Sequence, residues 1–244
     1  MKSTALAGCL ALTMLAAPAF VRGETALSEG NAAVLPAALR EVGFDQHLDQ
    51  QVPLDLAFRD EQGREVRLSD LAQGRPILLG LAYYQCPMLC TLVLNGLTAS
   101  LRAITLDPGA DFEVVIVSFD PREGSQLASE KRRVYLERYG RPGTENGWHF
   151  LTGSEDQIRA LTSAVGFRYR YDEASKQFAH PSGIVLLTPQ GRISRYLFGT
   201  DFVPRDLRLG LLESSTGKIG TISDLIHHGG RTESLVQRVS ERDI

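Results

Sequence analysis

Two cysteines and one histidine carry the chemistry that this sequence offers. Cys86 and Cys90 stand in Cys86-Pro87-Met88-Leu89-Cys90, with three residues between them. A thiolate is a nucleophile, a disulfide partner and a soft metal ligand, so a redox couple and a shared metal ion are both open to such a pair. A purely structural disulfide is the weaker reading, because closing a loop of about five residues restrains the unfolded chain little. The usual redox pair has two intervening residues. A third adds room for two ligands on one ion while still permitting a disulfide. A third ligand discriminates. Among five histidines, His180 is distinctive, because Phe178-Ala179-His180-Pro181-Ser182-Gly183 leads directly into the apolar strand Ile184 to Leu187. Two thiolates and one imidazole suit Cu(I), and also Cu(II) when a weak fourth ligand or water completes the shell. Structural zinc prefers four ligands, and no second CxxC or HxxxH supplies them. Met88 reads as a packing residue, His47 as solvated and His149 as a core or edge histidine. His227-His228 receive no role.

The elements that must position these groups follow from hydrophobic pattern. Ile77 to Tyr84 is an apolar run of the length of a strand buried on both faces. After it Leu89, Leu92, Val93, Leu97, Leu101 and Ile104 recur at helical steps. The cysteines therefore sit where a central strand hands over to a helix, where backbone N–H groups and the helix dipole favour a thiolate. A helix beginning near Pro87 would put Cys86 and Cys90 on one face. Phe112 to Phe119 is the second buried strand. It sets Asp120 at a carboxyl edge, where open α/β sheets build their sites; Asp120 is either a turn residue or part of the site lining.

Around this centre the pattern predicts a hairpin (Leu54–Phe58 with Glu65–Leu68), a short turn of helix at Ser69-Asp70-Leu71, and a helix over 124–139. A strand follows at Trp148–Leu151, then a helix opened by the capping box Ser154-Glu155-Asp156-Gln157. Phe167, Tyr169 and Tyr171 alternate as a further strand. Gly183–Thr188 and Arg192–Phe198 form a closing hairpin, and a helix runs from Pro204 to Glu213. Strands alternating with helices give an α/β fold with a parallel core, to which the last hairpin adds antiparallel edges. A cysteine pair at a strand-to-helix junction of such a sheet is thioredoxin-like, with the loop before the closing hairpin beside it.

The chain of 244 residues can bury one substantial core. A net charge of −3 gives no reason to expect a nucleic-acid partner. Residues 1–23 read as a secretory signal peptide or an N-terminal anchor: Lys2, an apolar run from about Ala5 to Ala17, then the small-x-small site Ala17-Pro18-Ala19. Cleavage would remove Cys9 and leave Cys86 and Cys90 as the only thiols. Residues 24–50 read as a polar lead-in with one short helix, 51–213 as the folded domain and 214–244 as a loosely held polar tail.

The segments YYQCPMLCTLVLNGL, VSFDPRE, GWHFLTG and FAHPSGIVLLTPQGRISRY together resemble the Sco/SenC family over Val52 to Leu212. The resemblance implies a thioredoxin-like, copper-binding protein that assists assembly of the binuclear copper centre of cytochrome c oxidase. It implies copper ligation by Cys86, Cys90 and His180, with Asp120 lining the site. The implied partners are the copper-receiving oxidase subunit and another copper chaperone or thiol reductase. The implied location is the periplasm, free or anchored to the membrane. A thiol–disulfide oxidoreductase using the same two sulfurs is the alternative. Three departures stand out: Met88 replaces an aspartate frequent in the family, Pro181 follows His180 and stiffens its loop, and the tail after Gly220 has no counterpart.

Overall fold

The computed structural model describes residues 41–220. In chain order the elements are β1 (Gly43–Phe44), β2 (Ala57–Arg59), β3 (Glu65–Arg67), α1 (Leu68–Ala72), β4 (Ile77–Ala82) and α2 (Leu89–Arg102). They continue with β5 (Glu113–Ser118), α3 (Ser125–Tyr139), β6 (Trp148–Leu151), α4 (Glu155–Ala164), β7 (Phe167–Arg168) and β8 (Arg170–Asp172). The last are β9 (Gln177–Ala179), β10 (Gly183–Leu187), β11 (Ile193–Phe198) and α5 (Pro204–Ser215).

Five strands form the main sheet in the order β11-β10-β4-β5-β6. β4, β5 and β6 are parallel, joined through α2 and α3, while β10 lies antiparallel to both β4 and β11. Every residue of β4, β5 and β10 is buried, which is why their sequences are unbroken apolar runs rather than alternating ones. One buried charge interrupts the pattern. Glu113 opens β5 between Arg75 Nε at 2.6 Å and His149 Nε2 at 2.9 Å, so His149 is an edge-strand histidine, as expected.

α2 crosses close to the chain before α5. Ser100 Oγ donates to the Phe202 carbonyl, and a Cβ at Gly96 would run into the Thr200 carbonyl oxygen. The helix can approach only because position 96 has no side chain.

Several boundaries differ from the sequence expectation. The first hairpin is confined to β2 and β3. The carbonyls of Leu54 and Leu56 instead take the N–H groups of Ser69 and Leu68 at the start of α1. The lead-in is stitched to the domain: β1 pairs with β7, and the Phe44 ring packs on Phe167 at 5.2 Å. His47, expected in solvent, has its N–H on Tyr196 Oη at 3.0 Å and its Nδ1 on the Ala164 carbonyl at 3.1 Å. The expected strand over 167–171 is two strands with different partners, since β7 pairs with β1 and β8 with β9. At the other end α5 runs to Ser215, where burial of Ser214 extends its packed face. Ser194 then holds the chain by accepting the Gly220 N–H and donating to the Lys218 carbonyl. The signal segment, the helix expected at Pro36–Val42 up to residue 40, and the tail beyond 220 lie outside the described residues. Among the described residues no helix is long and apolar enough to cross a membrane.

Candidate metal centre

The cysteine loop begins where β4 ends at Ala82. Helix α2 starts at Leu89, later than Pro87, so Cys86 is not on the helix and the shared-face argument does not hold. The sulfurs converge by another route. Cys86 lies in a turn whose N–H donates to the Tyr83 carbonyl at 3.1 Å, and its Sγ accepts the Cys90 N–H at 3.3 Å. This N–H belongs to the first turn of α2, which has no intrahelical acceptor, so the sulfur acts as a cap. Cys90 Sγ in turn accepts the Tyr83 N–H at 3.4 Å. Both cysteines are free and buried.

His180 arrives at the end of a small hairpin absent from the sequence expectation. β8 and β9 carry it, turning through Asp172, whose carboxylate takes the N–H of Ser175 at 3.2 Å and its hydroxyl at 2.6 Å. The His180 ring fits among Tyr83, Phe119 and Phe167, at centroid distances of 5.9, 5.2 and 6.3 Å. Its Nδ1 lies 2.9 Å from the Pro181 carbonyl. A carbonyl only accepts, so Nδ1 is held as the donor and Nε2 is turned to Cys90 Sγ, 3.2 Å away. Cys86, Cys90 and His180 thus form one cluster with all ligand atoms within 4.8 Å of one another.

The two sulfurs are not equivalent. A hydrogen bond from the Cys90 side chain lowers the Cys86 pKa most; burial opposes it, and His180 and the N–H groups of Cys90 and Met88 add to the lowering, down to about 3. Burial, followed by the neighbouring Cys86 thiolate, holds Cys90 far above the ordinary thiol range. One thiolate and one thiol, an imidazole nitrogen and an aromatic wall make a soft, partly desolvated donor set. Its chemistry fits a soft metal ion or a thiol–disulfide exchange.

Asp120 is buried but takes no place in the three-atom cluster. Its Oδ1 and Oδ2 receive Arg122 Nε and Nη2 at 2.8 and 2.7 Å. The guanidinium lies over the rings of Tyr171 and Phe178 at 5.0 and 5.6 Å. The pair therefore braces the hairpin that delivers His180. Met88, expected in the packing, is 67% exposed, because the delayed start of α2 swings it outward at the N-cap. Glu123 was not anticipated. Its carboxylate is buried and accepts the N–H of Tyr84 at 2.7 Å, that of Gln85 at 2.8 Å and the Ser118 hydroxyl at 2.5 Å. Its signals in the sequence are nearness to Asp120 at a strand's carboxyl edge and its place at the end of the segment VSFDPRE.

A family model described as SCO1/SenC matches residues 45–206, which include all three clustered residues. The chain belongs to the SCO1/SenC family. Among solved structures it is similar to a protein of Aquifex aeolicus VF5, 27% identical with a TM-score of 0.61, over 70% of this chain and 95% of that one. It is also similar to Arabidopsis thaliana ScoI solved with copper bound, 20% identical with a TM-score of 0.53, over 66% and 96% of the two chains. A third relative is BsSco, a Sco-family protein in which a disulfide switch was identified, 22% identical with a TM-score of 0.52, over 72% and 99%. The last two, at these identities, speak for the fold, which is thioredoxin-like. No curated protein matches the chain.

Proposed function

We propose that this SCO1/SenC protein is a copper metallochaperone. It binds one copper ion through Cys86, Cys90 and His180 and gives it up to the copper-receiving subunit during assembly of the binuclear copper centre of cytochrome c oxidase. The observation that carries this reading is the convergence of two sulfurs and one imidazole nitrogen within 4.8 Å at the strand-to-helix junction. That donor set favours copper over zinc, magnesium or calcium. Two thiolates neutralise Cu(I) with one negative charge left over, and an incoming thiol can displace one ligand at a time. Cu(II) fits the same three donors with water as a fourth. Copper-bound relatives and the description of Sco proteins as oxidase assembly factors support the assignment. Residues 1–23 support a further part of it: the chain is exported and works in the periplasm, free or anchored to the membrane and facing it.

The alternative is a thiol–disulfide oxidoreductase that keeps the copper-site cysteines of its target reduced. The acidic Cys86 beside the protonated Cys90 favours it, since one is the attacking thiolate and the other the resolving thiol. Reduced protein and its His180→Ala variant, titrated anaerobically with copper, separate the two. One tight equivalent with a sulfur-to-copper charge-transfer band, weakened or shifted in the variant, is the expected result. No tight binding, together with a readily cycled Cys86–Cys90 disulfide, would make the protein a reductase.

A further inference from the structure

A groove of about 700 Å³ lies between α2 and α3 and reaches Cys86. Thr91 and Asn95 line it from α2, and Leu127, Val134 and Tyr135 give it an apolar wall on α3. Asn95 Oδ1 is buried beneath this lining, with no hydrogen-bond partner among the described residues. The charges around it do not balance. Lys131 and Arg138 form no ion pair among the described residues, while Arg133 is neutralised by Glu137 at 2.8 Å. Among the described lining residues the one acid is Glu130, which accepts from the uncharged Gln126 at 3.4 Å and keeps its charge, so the cations still outnumber it. An apolar wall, a lining with more cations than anions and the Cys86 sulfur at one end describe a site for a chain segment.

We propose that this groove docks an extended, acidic, cysteine-bearing segment of the partner protein, its carboxylates on Lys131 and Arg138 and its thiol presented to Cys86. The proposal rests on the proposed function for the identity of that partner as the copper recipient; the docking itself does not require copper.

The test uses reduced full-length protein carrying Cys9→Ser, and synthetic cysteinyl peptides with acidic, neutral or basic flanks, each activated as the pyridyl disulfide. The Cys86 thiolate donates its electron pair to the peptide sulfur. The bond to the pyridyl sulfur breaks, and pyridine-2-thiolate leaves with the pair and is protonated to the thione, whose absorbance is followed. At low ionic strength the acidic peptide should react roughly 10-fold faster than the neutral one, as expected for steered association. Salt should abolish the difference by screening, and so should Lys131→Glu with Arg138→Glu, while the uncharged 2,2′-dipyridyl disulfide keeps its rate. Equal rates for the three peptides would overturn the proposal, as would a reversal variant that slows the small disulfide to the same degree. The salt arm needs no variant and so stands even if the double substitution disturbs folding. Copper titration of the same variant keeps the two readings apart: normal copper binding with lost peptide preference concerns docking alone, and absent copper binding in the parent concerns the proposed function alone.

Discussion

Glu123 Oε2 accepts the Tyr84 N–H at 2.7 Å, across 39 residues of sequence. With Oε1 on the Gln85 N–H at 2.8 Å, the carboxylate holds the N–H groups of the two residues that immediately precede Cys86. The Tyr84 hydroxyl completes the restraint: it lies between the Ile116 and Leu151 carbonyls, at 3.0 and 2.8 Å, which share its one proton. The loop that bears the first sulfur is thus tied to β5, to the end of β6 and to the turn after Ser118. A metal or redox loop needs such support, since small errors in sulfur position cost affinity or rate.

Removing that support has a defined cost. Glu123→Ala leaves the buried Tyr84 N–H without its acceptor, at about 1–3 kcal/mol, and frees the Gln85 N–H, which is only part-buried. Urea unfolding should report a loss in that range. At urea concentrations where the variant is still folded, it should also bind copper more weakly than the parent. A variant of parental stability and affinity would refute the role given to Glu123.

The unequal acidities of the cysteines predict selective chemistry in the metal-free protein. With its pKa lowered to about 3, Cys86 should be alkylated by iodoacetamide nearly as fast at pH 5 as at pH 7, where an ordinary thiol would slow about 100-fold. Cys90 should remain unmodified. Unfolding returns Cys86 to its ordinary value near 9 and takes up a proton. Its contribution to stability is therefore full above about pH 9, declines as the pH falls and is gone below about 3. Peptide mass mapping after a pH series checks the assignment, and modification at Cys90 would reverse it.

Gly96 should not tolerate a side chain. Helix propensity alone favours Gly96→Ala by about 1 kcal/mol, but the added Cβ meets the Thr200 carbonyl oxygen. That atom belongs to the backbone before α5 and has no rotamer by which to yield. Overpacking of this kind costs about 1–3 kcal/mol, so a net loss of stability is expected in thermal or urea unfolding. A stabilised variant would mean that this segment moves freely away from α2.

Met88 makes the opposite prediction. At 67% exposure, Met88→Ala should change stability by no more than about 0.5 kcal/mol, despite its position between two site cysteines. The same unfolding experiments test it, and a loss above 1.5 kcal/mol would show that it packs as a core residue.

Hydrophobic pattern alone determined the principal strands and helices. A strand buried on both faces must be apolar throughout, and a helix packed on one side must repeat at three and four, so β4, β5, α2 and α4 were legible. Cys86 and Cys90 could be read from residue type and local spacing, and His180 from its position before β10. Tertiary structure decided what depends on partners distant in the chain. It broke the alternation of Phe167, Tyr169 and Tyr171 because β7 and β8 bond to different strands, and it drew Phe44 and His47 onto the domain. It began α2 at Leu89, so the sulfurs meet through a capping turn and Met88 points to solvent. It also gave Glu123 its task, because no local pattern encodes which distant N–H groups a buried carboxylate will satisfy. Periodicity records how much of a residue is buried; only the folded chain records against what.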